Sequence, residues 1–284
     1  MSRILKSPLV TAQELSQAKD AGDLVIVDCR FSLADPAEGR RRYEQSHVPG
    51  ARYAHLDEHL SSPPSSAQGR HPLPTPKQLS ERLGRWGILP TTSVVSYDDS
   101  GGAFAARLWW MLRSLGHEDA AVLDGGYAAW LAAGLPTESA LPVVAANEYT
   151  PISTSDATLV TTDELEERVA RGALLLDARA PERFSGAVEP IDPVAGHIPG
   201  AVNLPFQALL SNGHFKPRDL LRAAFNEAAG GELPQDVVAM CGSGVTACHL
   251  LLAMEVAELG TGNLYAGSWS EWIRDPSRRV AVGN

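Results

Sequence analysis

Cysteine is scarce in this chain: three residues in 284, at positions 29, 241 and 248. So few cannot build the disulfide framework of a small secreted domain, and a reducing cytosol is the natural compartment. Long apolar runs are missing too. No stretch approaches the roughly eighteen residues that a membrane-crossing helix needs. The segment from Met1 to Val10 lacks the apolar centre of a leader, so neither a signal peptide nor a membrane span is expected. Positive charge is in deficit, with 24 Lys plus Arg against 34 Asp plus Glu and a formal net charge of −10. That balance argues against nucleic acid or an anionic membrane as partner. An acidic protein that handles small anions must do so with a local positive site. What remains is the ordinary composition of a soluble globular protein, 44% hydrophobic and 20% charged, long enough for one large or two medium domains.

One series of motifs runs through the chain twice. Thr11 and Glu14 stand at capping-box spacing ahead of a short helical stretch over 11–20. Leu24 to Asp28 is an apolar run too short for a helix, hence a buried strand, and it ends in Asp28-Cys29-Arg30. His47-Val48-Pro49-Gly50-Ala51 follows. The same order returns as a helical stretch from Thr162 to Arg171, a strand ending in Asp177-Ala178-Arg179, and His197-Ile198-Pro199-Gly200-Ala201, at offsets of 149 and 150. Val94 to Asp98 aligns with Val237 to Cys241 at an offset of 143, and Leu123-Asp124-Gly125-Gly126-Tyr127 with Tyr265-Ala266-Gly267-Ser268-Trp269 at 142. Four matched blocks in one order mark a duplicated domain of about 130 residues. Each copy alternates short apolar strands with helical stretches, which predicts an α/β fold: two tandem domains, each a parallel sheet flanked by helices. The expected boundaries are 1–138 for the first copy, 139–158 for a Pro- and Ser/Thr-rich linker, and 159–284 for the second.

Ligands of open α/β sheets sit beyond the carboxyl ends of strands. Cys241 stands at such an end, between the strand Val237 to Met240 and an apolar stretch, Ala247 to Leu259, that suits a packed helix. Backbone N–H groups and the positive end of a helix dipole converge there, which stabilises negative charge on the sulfur. Gly242 and Gly244 let the loop curl into an anion-cradling nest. The plain alternative is a buried core thiol in a glycine turn. The counterpart in the first copy is Asp98, which cannot act as a thiol nucleophile. The second copy is therefore the expected catalytic one, and the first a non-catalytic partner that helps wall the cleft.

These residues resemble the rhodanese-like sulfurtransferases: the Asp-x-Arg strand ends, the His-x-Pro-Gly-Ala turns, and a Cys loop in the second copy only, as in tandem two-domain members. The resemblance spans essentially the whole chain. The loop Cys241-Gly242-Ser243-Gly244-Val245-Thr246-Ala247 is similar to that of the 3-mercaptopyruvate-using subgroup. The thiosulfate-type loop carries basic side chains in the two positions after the Cys, here Gly242 and Ser243. The resemblance implies sulfur transfer through a persulfide on Cys241, cradled by Gly242, Gly244, Val245 and Thr246, with pyruvate as first product. It implies a sulfur acceptor that is a small thiol, a thiol protein such as thioredoxin, or cyanide, and it calls for no metal or organic cofactor. It also implies a Ser–His–Asp arrangement of Ser243, His71 and Asp57 that manages protons and spans both domains. Arg183 matches the family's substrate-carboxylate arginine, a fork suited to a planar carboxylate.

One departure bears on the donor. The subgroup's second arginine lies in a Glu-Pro-Arg segment, and here the segment reads Glu189-Pro190-Ile191. Three arrangements stay open: a one-armed clamp, or a second arm from Arg179 or from Arg70. Asp28 with Arg30 and Asp177 with Arg179 read as structural pairs, His47 and His197 as structural turns, and Asp98 with Arg107 as an internal pair in place of the active loop. Cys29 and Cys248 read as core thiols. Competing functions are a thiosulfate sulfurtransferase, a sulfur-relay protein fed by a protein donor, and a cysteine phosphatase. The last needs an Arg six residues after the Cys, where this chain has Ala247.

Overall fold

Short runs rich in Val, Ile, Leu and Ala become strands wherever both of their faces can be buried, and parallel pairing then demands a helical crossover between them. The computed structural model describes residues 5, 7–19, 23–152 and 159–283. The end of the expected linker, 153–158, lies outside the described residues. Two units emerge that are not contiguous in sequence. Met1–Ser62, Leu73–Asp156 and Asn212–Phe215 form one; Pro63–Pro72, Ala157–Ser211 and Lys216–Asn284 form the other.

In the first unit, β1 (Leu9–Val10), β2 (Leu24–Asp28), β3 (Arg52–Tyr53), β4 (Ser93–Tyr97) and β5 (Ala120–Leu123) make a sheet in the order β1-β5-β4-β2-β3. Every pairing is parallel. The helices are α1 (Ala12–Lys19), α2 (Glu38–Gln45), α3 (Leu56–His59), α4 (Pro76–Arg85), α5 (Ala105–Ser114) and α6 (Gly126–Ala132). Thr11 caps α1 reciprocally, Glu14 N–H donating to its hydroxyl and the Glu14 carboxylate accepting the Thr11 N–H at 2.8 Å.

In the second unit come α7 (Thr162–Ala170), β6 (Leu174–Asp177), α8 (Pro181–Ser185), β7 (Ala201–Asn203) and the two-residue strand β8 (Leu210–Ser211). After β9 (His214–Phe215), which belongs to the first unit, follow α9 (Arg218–Ala229), β10 (Val237–Met240), α10 (Ala247–Val256), β11 (Asn263–Leu264) and α11 (Ser268–Trp272). The sheet order β11-β10-β6-β7 repeats β5-β4-β2-β3, again all parallel. Leu159 bridges Leu264 where β1 pairs with β5 in the first copy. Helix α10 stops at Val256, short of Leu259, because Glu258 turns into the left-handed region at φ 53°. Among the described residues no helix is long and apolar enough to cross a membrane.

The repeated motifs are the stitching of each unit. Arg30 grips Asp28 through Nε and Nη2, and Nη2 also donates to the Ser46 carbonyl at 2.7 Å. Arg179 does the same with Asp177 and the Gly196 carbonyl at 2.9 Å. Each guanidinium lies over an aromatic ring, Arg30 over Tyr127 at 4.2 Å and Arg179 over Trp269 at 4.9 Å. His47 Nδ1 meets the Tyr43 carbonyl at 2.6 Å and His197 Nδ1 the Phe184 carbonyl at 2.8 Å. Each of these histidines also stacks on the aromatic ring it reaches back to. These buried pairs tie a strand end to the Pro-Gly turn in front of the next strand. They fix where the loops beyond β4 and β10 emerge.

Candidate functional site

Cys241 follows the last residue of β10, at the carboxyl end of the strand in the middle of the sheet, and is 2% exposed. The loop that carries it is anchored from one side by the start of α11. Ser268 Oγ accepts the Cys241 N–H at 3.0 Å, while the Trp269 and Ser270 N–H groups donate to the carbonyls of Cys241 and Gly242 at 3.0 and 2.9 Å. Gly244 adopts φ +76°, and a methyl group there would fall 2.3 Å from the Ala266 carbonyl oxygen, so only glycine fits. With the backbone held this way, the N–H groups of Ser243 and Val245 find no protein acceptor among the described residues.

The first copy shows what such a loop does with its N–H groups. Asp98 Oδ1 accepts from Ser100 and Gly102, and Oδ2 from Phe104 and Ala105, all at 2.8 or 2.9 Å. Burial pushes the Asp98 carboxyl up, and the four donors oppose that shift. The expected pairing with Arg107 gives way to this backbone cradle, and Arg107 Nε donates to the Leu60 carbonyl at 2.9 Å. The residues aligned with those four donors are Ser243, Val245, Ala247 and Cys248. Cys248 donates its thiol to the Gly244 carbonyl, Cys29 is fully buried with its thiol pushed well up by that burial, and among the described residues no disulfide joins the three cysteines.

His71 and Ser243 meet in the second unit. His71 Nδ1 lies 2.7 Å from Ser243 Oγ, both residues being buried. His71 belongs to the segment 63–72, which comes from the first half of the sequence but packs within the second unit. Two contacts seat that segment on α11: the Gly69 N–H donates to Glu271 and the Arg70 N–H to Ser270 Oγ, at 3.2 and 3.0 Å. Ser270 thus holds the cysteine loop with its N–H and the histidine segment with its hydroxyl. Asp57 lies in the first unit, exposed on α3, where its N–H donates to His55 Nδ1 at 3.1 Å.

Arg183 lies in the middle of α8 and reaches the same loop. A methyl group built on Gly242 would lie 3.5 Å from both Nη1 and Nη2 of Arg183, and 3.0 Å from Nη2 of Arg70. Two buried carboxylates hold these guanidiniums from behind. Glu189 takes Arg183 Nε at 3.1 Å, and Asp192 takes Arg183 Nη2 at 3.0 Å on one oxygen and Arg70 Nη1 on the other. Burial alone would raise the Glu189 carboxyl, but Arg183 and the amides of Asp192 and Ile191 outweigh it and hold it below the usual range. At Asp192 burial wins against Arg70, and the carboxyl is pushed up. Arg179 is committed to Asp177 and Gly196 and is 3% exposed. Thr246 and Val245 complete the turn into α10.

Sequence reasoning missed Ser268, Ser270, Glu189 and Asp192. The signal for Ser268 lay in the repeat: Gly126, its counterpart, has φ +57°, and Ser268 has φ 54° although it is not glycine.

The family model described as a rhodanese-like domain matches residues 11–133 and 161–275. A Pseudomonas aeruginosa protein named "Probable 3-mercaptopyruvate sulfurtransferase" is 47% identical over 281 residues, 97% of this chain and 98% of that protein. A Mycobacterium tuberculosis protein that carries a thiosulfate sulfurtransferase name is 40% identical over 281 residues, 97% of each. The solved 3-mercaptopyruvate sulfurtransferase of Leishmania major superposes with a TM-score of 0.81 at 34% identity, over 94% of this chain and 74% of that one. This chain belongs to the rhodanese family, and it carries two rhodanese-like domains in tandem.

Proposed function

We propose that this protein is a sulfurtransferase that takes sulfur from 3-mercaptopyruvate onto Cys241 and hands it to a thiol or to cyanide, releasing pyruvate. The observation that carries the reading is the contact of Ser243 Oγ with His71 Nδ1, in the loop of a buried cysteine whose next residue has no side chain. A thiosulfate dianion calls for positive side chains on that loop, whereas 3-mercaptopyruvate brings one carboxylate and a carbonyl. The names of the relatives favour the same donor, led by the one at 47% identity.

The steps balance without an external oxidant. The Cys241 thiolate attacks the donor sulfur, the carbon–sulfur bond breaks, and its electron pair passes to the three-carbon fragment as the enolate of pyruvate. Ser243 and His71 carry the donor's thiol proton to that carbon. Asp57 is the proposed third member, orienting the histidine. The loop N–H groups around Gly242, Gly244, Val245 and Thr246 stabilise the negative sulfur before attack and in the persulfide. Arg183 holds the donor's carboxylate. An acceptor thiolate or cyanide then attacks the outer sulfur, leaving the Cys241 thiolate and a persulfide or thiocyanate. The first copy has spent the same loop on Asp98 and serves as the non-catalytic domain. A reducing cytosol suits three cysteines in the thiol state, and there thioredoxin or a small thiol is the acceptor.

Initial rates with 3-mercaptopyruvate and with thiosulfate, against one common thiol acceptor, test the proposal. A large preference for 3-mercaptopyruvate is expected. Preference for thiosulfate overturns the donor assignment, and turnover of neither with intact persulfide uptake from a protein donor points to a relay.

A further inference from the structure

The geometry points to Glu271 as a positioning residue for His71: its carboxylate holds the backbone just ahead of the histidine and thereby sets the reach of the imidazole to Ser243. The inference deepens the proposed function and rests on its reading of His71 as a proton carrier.

The place of the Glu271 carboxylate is fixed by its neighbours. It folds back over the start of α11, where a methyl group on Gly267 would fall 2.5 and 2.6 Å from its two oxygens, so a side chain at 267 would displace it. One oxygen accepts the Thr162 hydroxyl at 2.8 Å, and the other the Gly69 N–H at 3.2 Å. Thr162 has a single hydroxyl proton and gives it to the carboxylate, which makes the Tyr265 hydroxyl, 2.9 Å away, the donor to Thr162. Tyr265 is fully buried and Thr162 nearly so. A chain of three side chains, from the residue after β11 through the first residue of α7 to α11, thus ends on the backbone of Gly69.

The other side of the contact is equally close. A methyl group on Gly69 would lie 2.6 Å from the Gly267 carbonyl oxygen and 2.9 Å from Ser270 Oγ, so the segment runs against α11 at backbone distance. Gly69 and Arg70 give successive N–H groups to Glu271 and Ser270. The next residue is His71, 8% exposed, with Nδ1 2.7 Å from Ser243 Oγ. The loop of Ser243 is placed by the same helix, whose Trp269 and Ser270 N–H groups hold the carbonyls of Cys241 and Gly242. Both partners of the proton pair are therefore measured from α11. Of the two anchors on the histidine side, Ser270 is a neutral hydroxyl. Glu271 is a carboxylate, the stronger kind of acceptor, and Thr162 fastens its far oxygen.

The test compares wild type with Glu271→Ala, Glu271→Gln and Thr162→Val, alone and in a His71→Gln background, on the two half-reactions separately. Alanine should slow persulfide formation from 3-mercaptopyruvate about tenfold or more, with KM changed far less. Discharge of the preformed persulfide to cyanide delivers no proton to carbon and should stay within about twofold of wild type. Glutamine can accept from Gly69 with its oxygen and donate to Thr162 with its amide, so it should restore most of the rate. Thr162→Val leaves the carboxylate in place but unfastened, and should give a smaller loss in the same half-reaction. In the His71→Gln background none of these changes should slow the reaction further, because Glu271 acts through the histidine. An unchanged rate in E271A, or in T162V where E271A does not fold, overturns the inference. So does an equal loss in both half-reactions, a loss carried by KM, or losses that multiply with H71Q. Imidazole nitrogen resonances by NMR separate the inference from the parent reading: those of His71 should move in E271A and return in E271Q. If wild type takes no sulfur from 3-mercaptopyruvate, or H71Q takes it at the wild-type rate, the proposed function fails. Unmoved His71 resonances in E271A refute the positioning role itself.

Discussion

Ser268 makes one of the three hydrogen bonds that attach α11 to the cysteine loop, and its energetics can be worked out. Its backbone stands at φ 54°, a conformation that costs a residue with a Cβ about 1–2 kcal/mol. Its side chain is fully buried, with Oγ accepting the Cys241 N–H at 3.0 Å and donating to the Tyr265 carbonyl at 2.9 Å. Ser268→Ala keeps the strain and strands a buried N–H and a buried carbonyl, so it should cost about 2–4 kcal/mol. Ser268→Gly loses the same bonds but releases the strain, which returns about 1 kcal/mol. The two variants share every loss except the strain, so their difference isolates it. Urea unfolding of the second unit should place the glycine variant above the alanine variant by about 1 kcal/mol. Both should transfer sulfur more slowly than wild type, because the Cys241 N–H is no longer pinned. A glycine variant as unstable as the alanine variant refutes the strain argument. Wild-type stability in both refutes the role of the hydroxyl.

Cys241→Ser should abolish sulfur transfer and leave thermal unfolding in place, and turnover above a few per cent of wild type removes Cys241 as nucleophile. His71→Gln should lower kcat by about a hundredfold. Adding Ser243→Ala should deepen that loss little, since a proton-transfer pair acts as a unit; losses that multiply would separate the two residues. His59 in the first unit is pulled down to about 4 by burial, and its Nδ1 accepts the His55 N–H at 2.8 Å. The unfolded chain therefore takes up a proton between pH 6.5 and 4 that the folded one refuses, so stability should fall on acidification across that window, by at most about 3 kcal/mol. His59→Gln should flatten that part of a urea-unfolding pH profile, and a profile identical to wild type refutes the assignment.

The fold was legible because its determinants are local and occur twice. Asp28-x-Arg30 and Asp177-x-Arg179 had to be strand ends with an inward salt bridge, and both are. The Cys loop between an apolar strand and an apolar helix could be read from Gly242 and Gly244 alone. The parts that could not be read are those that join segments far apart in the chain. Nothing in the polar, Pro-rich run from Pro63 to Pro72 says that it packs within the second unit, because its seat is two hydrogen bonds to Ser270 and Glu271, about 200 positions downstream. Nothing in the sequence around Glu189 and Asp192 marks their carboxylates as buried. Their burial follows from the arginines they hold, and those come from Arg70 and Arg183, on two different segments.

The two copies also show how one backbone design supports opposite ends. Gly101 and Gly244 are aligned, and both take the left-handed turn, at φ 69° and 76°. Tyr127 and Trp269 are aligned, and their N–H groups hold the carbonyls of Asp98 and Cys241 at 2.8 and 3.0 Å. The frame around the two loops is therefore the same. In the first copy four N–H groups converge on a carboxylate that never leaves, so the loop is satisfied and static. In the second the aligned residue is a thiol, whose sulfur carries a full negative charge only as thiolate or persulfide anion. Donors left without a permanent acceptor cost stability when buried. They can be kept where a charge arrives during each cycle, and on the proposed mechanism the loop that holds Asp98 in the first copy serves a transient anion at Cys241 in the second.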